Sequence, residues 1–313
     1  PADDLLSRLE VVEEFRPGVT KRLGIDYDTL SKINPRIIYC AVTGYGQNGP
    51  YETLVGHDIN YISHAGALGI IGEPGGRLPA IPHNLLADFA GGGMHGAVGV
   101  LTALLARERT GRGQIVDISM MDGILSLQVA LLSMYYGSGI LSGRGNTILS
   151  GAAHYYNVYE TKDNKFISIG SMEPWFYVNL CKALGREDLI PKQIVPLEEL
   201  PQLVTTFREI FKTKTRDEWF EILSKTDICV GKVYSYDELE KDPQIRAREM
   251  ILELNHPTQG KVKQVGISVK LSETPGKVRL FAPTPGEHTD EVLQSLNYSK
   301  EKISSLRQAG VIK

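Results

Sequence analysis

The residues best suited to chemistry lie in Gly56-His57-Asp58-Ile59-Asn60-Tyr61 and in Leu86-Ala87-Asp88-Phe89-Ala90, the second running into Gly91-Gly92-Gly93. An imidazole beside a carboxylate, with another carboxylate leading into backbone that a ligand can approach closely, supplies titratable groups fit for acid and base work. Both segments are otherwise apolar, so these polar groups either are buried with partners or face a cleft. The same types also suit a structural His and an N-capping Asp, because Asp before an Ala/Gly/Val-rich run is an ordinary cap. From these residues alone both readings stand open.

The elements that must position them follow an α/β pattern. Arg36 to Val42 is a continuous apolar run rich in β-formers, the mark of a strand covered on both faces. It empties into Thr43-Gly44-Tyr45-Gly46-Gln47-Asn48-Gly49-Pro50, and a glycine-rich loop after such a strand is where open α/β sheets bind ligands. The loop matches neither the dinucleotide fingerprint nor a Walker A sequence, so no nucleotide is assigned by motif, and it also suits a plain turn. Residues 3–13 read as the tail of an amphipathic helix running into a short strand, so the chain is expected to begin mid-domain. Gly24 reads as a helix C-cap before a short helix ending at Ile33. Gly91 to Arg109 reads as a tightly packed helix, Ile115 to Ser119 as a strand, and Met121 to Tyr136 as a second apolar helix, with Asp117 and Asp122 as caps.

A glycine-rich stretch, 138–151, reads as a linker to a second lobe. That lobe opens with a hairpin, Tyr155 to Tyr159 and Phe166 to Gly170, joined through Asp163-Asn164. Glu173-Pro174-Trp175 opens a helix with Pro in its first turn. Residues 186–228 read as helices, 249–283 as strands that include Val278-Arg279-Leu280, and the last helix is expected to start near Gly286 with Thr289 or Asp290 as its cap. The expected divisions are a large domain at 1–137, a linker at 138–151, a small α+β domain at 152–255, and a return to the large domain at 256–313.

With 313 residues the chain is long for a single core. Its net charge of -3 gives no global attraction to nucleic acid or membrane, so an anionic ligand must be met by local Arg and Lys. Cys40, Cys181 and Cys229 lie far apart without metal-ligand spacing and read as free thiols of a reducing compartment. No apolar run reaches the ~20 residues of a membrane span, and a cytoplasmic protein is expected. His64, His83, His95, His154, His256 and His288 read as structural or surface residues, and Tyr155, Tyr156 and Tyr159 as hairpin packing.

Several ordered runs carry a resemblance: Phe15-Arg16-Pro17-Gly18-Val19, Asn34-Pro35-Arg36, the Thr43–Pro50 loop, Gly56 to Tyr61, Leu86-Ala87-Asp88-Phe89, Thr110-Gly111-Arg112-Gly113-Gln114, Asp242-Pro243-Gln244, His256-Pro257-Thr258 and Gly286-Glu287-His288-Thr289. On these the chain resembles the family III CoA-transferase (CaiB/BaiF-like) superfamily across almost its whole length, and within it the α-methylacyl-CoA racemase group. The resemblance implies an α/β large domain with a parallel sheet, a smaller domain joined by long linkers, and two chains interlocked as rings in a homodimer.

It also implies chemistry. Members resembling formyl-CoA transferase use one Asp as a nucleophile to move CoA between carboxylic acids through an aspartyl anhydride, whereas the racemases exchange the proton beside the thioester. Asp88 stands at the shared aspartate. Gly56 to Tyr61 and Met172-Glu173-Pro174-Trp175 are closer to the racemase form, as is Thr226-Asp227-Ile228-Cys229-Val230. Racemisation needs two acid/base groups flanking a planar enolate, since one alone returns the same hand. The resemblance gives those roles to His57 and Asp88, with Glu173 hydrogen-bonded to His57 and the backbone N–H of Asp58 as an oxyanion donor. Phe15, Arg16 and Arg22, with Gly56, Asp58, Ile59, Asn60 and Tyr61, are the implied CoA-binding positions, guanidinium pairing well with phosphate. Coenzyme A enters as part of the acyl-CoA substrate, and no separate cofactor or metal is expected. The implied setting is acyl-CoA and fatty-acid metabolism. The resemblance also leads one to expect an Asn-Arg-Gly-Lys-type segment, absent here, whose Arg contacts CoA; a non-catalytic CoA-thioester binder is the corresponding alternative. The acyl chain is not specified, because Ile59, Leu68, Met94 and Trp175 are too generic to size a cavity.

Overall fold

Ile38-Tyr39-Cys40-Ala41-Val42-Thr43 forms β2, and five of its six side chains are buried, as its apolar, β-forming run requires of a central strand. In the computed structural model, which describes residues 10–76 and 78–313, β2 is flanked by β1 (Val11–Glu13) and β3 (Gln114–Ser119). All three run parallel in the order β1-β2-β3, with Glu13 beside Ala41 and Thr43 beside Ser119. The helix tail expected before residue 10 lies outside the described residues.

Parallel strands bring their carboxyl ends to one edge, and three segments leave that edge. The first carries α1 (Val19–Leu23), closed by Gly24, and α2 (Tyr27–Ile33). The second is the Thr43–Pro50 loop, followed by α3 (Asp58–His64). The third is α5 (Met120–Leu127), which α6 (Val129–Ser138) continues after a break. One apolar helix was expected over 121–136. Gln128 interrupts it, its side chain donating to the carbonyls of Ala65 and Ile124.

Between α3 and β3 runs a segment whose beginning differs from expectation. The helix expected from Gly91 starts at Leu85: Leu85–Met94 winds in wide π-helical turns, and α4 (His95–Thr110) continues it. Wide turns of this kind are rare and concentrate at functional sites. Backbone packing fixes it, since a Cβ on Gly91 would lie 2.6 Å from the Met120 carbonyl and one on Gly123 would lie 2.6 Å from the Gly91 carbonyl. The two helices touch backbone to backbone. Taken whole, Leu85–Thr110 is 26 residues long and apolar enough by length and composition to match a membrane span, which corrects the expectation that no run reaches that length. Ser119, rather than Asp122, caps α5, its hydroxyl accepting the Asp122 N–H.

After residue 151 a second sheet has its own core. Strands β4 (Tyr156–Glu160) and β5 (Phe166–Gly170) pair antiparallel around a turn with Asn164 at φ 56°, and β6 (Val230–Val233), a strand the sequence reading missed, adds to β5. Helices α7 (Pro174–Ala183), α8 (Leu200–Phe211) and α9 (Arg216–Leu223) cover it, burying Tyr159, Tyr177, Phe207, Phe211 and Trp219. Cys40 and Cys181 are buried and Cys229 is half-buried, all as free thiols.

The chain divides into two units at Lys232/Val233. Taken by itself, Val233–Lys313 holds a hairpin of β7 (Ile251–His256) and β8 (Gly260–Val265), then α10 (Thr289–Ser295) and α11 (Lys300–Gln308). Val278-Arg279-Leu280 forms no strand. Thr289 and Asp290 are the first residues of α10 rather than its cap, and that helix is followed by another.

Candidate active site

The His57-bearing turn is held from inside. Tyr61 is buried, its ring lies where a Cβ on Gly44 or Gly56 would sit (2.1 and 2.8 Å from Cε1), and its hydroxyl donates to the Gly56 carbonyl at 2.5 Å. Gly56 is therefore required by the close approach of a ring, and Tyr61 braces the loop. The His57 N–H donates to Asn60 Oδ1 at 3.0 Å, which fixes the entry into α3. His57 itself is exposed, the N-cap of α3 with Asn60 as its capping-box partner.

Asp58, the first residue of α3, is 5% exposed. Its Oδ2 accepts the N–H groups of Ala87 at 2.7 Å and Asp88 at 3.0 Å. Both belong to the first turn of the π segment, whose N–H groups have no partner within their own helix. One carboxylate thus ties the turn that carries His57 to the helix that carries Asp88. The half-buried Asp88 carboxylate accepts from Asn84 Nδ2 at 3.1 Å. It also lies within electrostatic reach of Tyr61, whose hydroxyl is pushed up mainly by burial and further by Tyr45 and the Asp88 charge. The Asp58 N–H, at the start of α3, has no acceptor among the described residues.

Other expected positions spread along the same sheet edge and beyond. Phe15 and Arg16 follow β1, and Arg22 stands in the last turn of α1; all three are exposed, and neither guanidinium has a partner among the described residues. Ile59 is exposed beside His57. Glu173 is elsewhere: it is the N-cap of α7, in the second lobe, and its charge helps raise the Cys229 thiol, which burial raises most. Within one chain no hydrogen bond or ion pair among the described residues joins Glu173 to His57. The second lobe also carries an open cavity of about 410 Å³ lined by Leu149, Tyr156, Val158, Ser168 and Ile169 among others. Among the described residues no group of three His, Cys, Asp or Glu side chains is placed to hold a metal.

Two contacts escaped the sequence reading. Asn84 reaches Asp88 by the i,i+4 spacing of a helix face, a signal hidden because the helix was expected to start at Gly91. The Asp58 carboxylate was read as a titratable group beside His57, and what escaped was its tie to the Ala87 and Asp88 N–H groups.

A sequence profile described as CoA-transferase family III matches residues 4–289. The chain belongs to that family. Its relatives include proteins named for different activities. The alpha-methylacyl-CoA racemase of Homo sapiens is 35% identical over 303 residues, covering 96% of this chain and 78% of that protein. The formyl-CoA:oxalate CoA-transferase of Bradyrhizobium diazoefficiens is 32% identical over 339 residues, covering 99% and 78%. A CAIB/BAIF family protein from Brucella suis superposes with a TM-score of 0.79 at 25% identity, covering 94% of this chain and 77% of that one. The mixed α/β architecture with its parallel sheet is thus the family III fold.

Proposed function

We propose that the protein is a racemase that exchanges the α-proton of 2-methylacyl-CoA thioesters. The observation that carries the reading is the pairing of an exposed His57 with Asp88 through the Asp58 carboxylate that joins their two elements. A transferase at Asp88 needs no imidazole there. In the proposed reaction one of the pair takes the α-proton and leaves an enolate, and the other returns a proton to the opposite face. The free Asp58 N–H is positioned at a helix start to donate to the enolate oxygen. Arg16 and Arg22, exposed at the carboxyl edge of the sheet, would meet the phosphates of the CoA portion.

The proposal includes a homodimer. Met94 at the end of the π segment and Val98, Leu101 and Leu105 of α4 form an exposed apolar stripe, spaced as residues that meet another helix face are. A second copy covering it would also bring its own Glu173 and the second-lobe cavity to the site, the cavity taking the acyl chain.

Incubating one epimer of a 2-methylacyl-CoA in deuterated water should place deuterium at the α-carbon and yield the other epimer. His57→Ala and Asp88→Ala should each slow this by ~10²–10⁴-fold, the usual contribution of a positioned acid or base. Intact thioester without deuterium would remove the reading. The second reading, CoA transfer between carboxylic acids, has the 32% identical formyl-CoA:oxalate CoA-transferase in its favour; a hydroxylamine-trapped adduct at Asp88 would establish it.

A further inference from the structure

We infer that the Asp58 side chain is a positioning group, setting the separation and relative orientation of His57 and Asp88. The inference rests on the racemase reading of the site and adds a residue whose side chain neither removes nor returns the proton. Asp58 is adjacent in sequence to one acid/base residue and bonded to the backbone N–H of the other. Its two bonds run to a different helix, 29 and 30 residues along the chain, so the carboxylate does not serve as the cap of its own helix.

Three features make this bond decisive for geometry. The carboxylate is buried, so water does not compete for it. Both contacts fall on Oδ2, while Oδ1 has no hydrogen-bond partner; the segment is held through one oxygen, with no bond from the other to share the restraint. At the first turn of the wide helix Asp58 holds the Ala87 and Asp88 N–H groups, while the buried Ala87 methyl packs with Tyr61, Ile62 and Ile124 and Gly91 meets α5 one turn later. Of these only the Asp58 bonds hold the Asp88 backbone N–H itself, so releasing them lets Asp88 shift against that packing.

A two-base reaction is sensitive to that shift in a particular way. Either group alone still removes a proton and returns one to the same face, giving exchange with retention. Inversion requires the opposite donor at the correct distance. A displacement of about 1 Å costs on the order of 10²-fold in rate, and here it should fall on inversion more than on exchange.

The test uses the full chain in its native assembly. Asp58→Ala keeps the backbone N–H at this position and removes the tie; Asp58→Asn keeps the shape and an oxygen acceptor. With one epimer in deuterated water, the Ala variant should lose about 10²-fold in kcat for inversion with KM nearly unchanged. The share of deuterium incorporated with retention should rise. The Asn variant should restore most of the rate and lie between wild type and Ala in retention. If the Ala variant fails to fold, the Asn variant carries the test through the same ratio. Unchanged retention-to-inversion ratios in folded variants, with loss confined to thermal stability, would overturn the inference. An inactive wild type would instead overturn the reading of the site.

Discussion

In the lobe built on β4, β5 and β6, Tyr159, Ile167, Tyr177, Leu180, Phe207, Phe211 and Leu223 are fully shielded, and their polar ends are satisfied. The Tyr159 hydroxyl donates to the His154 carbonyl and Trp219 Nε1 to that of Phe211, while the Tyr159 and Phe211 rings stack at 4.9 Å. In the lobe that holds His57 and Asp88, α4 buries only Gly96 and Ala103, and α6 buries nothing. One lobe closes its core with its own side chains. The other buries its strands but leaves the large apolar side chains of α4 and α6 outside, an arrangement that marks an interaction surface. The self-contained core sits in the lobe of Glu173 and the cavity; the lobe with the exposed helix faces carries His57 and Asp88.

The sharpest way to break this contrast is to cut into the closed core. Phe207→Ala should lower unfolding free energy by about 3–5 kcal/mol, the range for deleting a buried aromatic ring, measured by urea denaturation. A cost near the ±0.5 kcal/mol of surface substitutions would show that this lobe, too, relies on cover from outside.

A smaller effect comes from His154, fully buried in the same core. Its Nε2 meets the Tyr177 hydroxyl at 2.9 Å, and that hydroxyl already donates to the Leu189 carbonyl. Nε2 must therefore carry the proton, an assignment made from the hydrogen-bond pattern. Nδ1 is left without a partner, so a second proton has no acceptor, and burial pushes the pKa down to about 4. The unfolded chain takes up a proton near pH 6.5, the folded one only near 4. The stabilisation from keeping His154 neutral is thus complete above pH 6.5 and lost as pH falls toward 4, up to about 3 kcal/mol. His154→Gln, which keeps a donor but does not titrate, should show a flatter stability profile from pH 7 to 4.5. Parallel profiles would place the acid sensitivity elsewhere.

Where one signal dominated locally, the sequence was readable. The apolar run of β2, the Asp163-Asn164 hairpin and Pro174 at the start of α7 each have a short-range cause. The start of the Asp88 helix was not readable, because Gly91-Gly92-Gly93 disfavours helix by propensity and only packing against Gly123 makes those glycines useful there. Four-residue β6 exists through its neighbour β5. At the site, the residue types of His57 and Asp88 were legible. The bond from the Asp88 N–H to the Asp58 carboxylate was not, since nothing in the spacing of 58 and 88 shows that a side chain will find a backbone N–H across it. Glu173 marks the same limit, for its proposed partner is on another chain.

The last prediction turns on the open lobe, and here the expected change in a single chain's folding is the smallest. Leu101→Glu with Leu105→Glu places charges on a helix face exposed in one chain, so each lobe's own stability should move by no more than about 0.5 kcal/mol per substitution. If a second copy covers the stripe, the same charges must be buried or the copies must part, and parting costs less. Light scattering should therefore give a dimer mass for the unmodified chain and a monomer mass for the double variant. Epimerisation should fall with the dimer, because His57 would lose the Glu173 of the second copy, while the urea midpoint of the closed lobe stays in place. A double variant that remains dimeric and active would free the stripe from this role. Flotation of the unmodified chain with phospholipid vesicles would instead identify a bilayer as the cover, the alternative that the length and apolar character of Leu85–Thr110 make worth excluding by experiment.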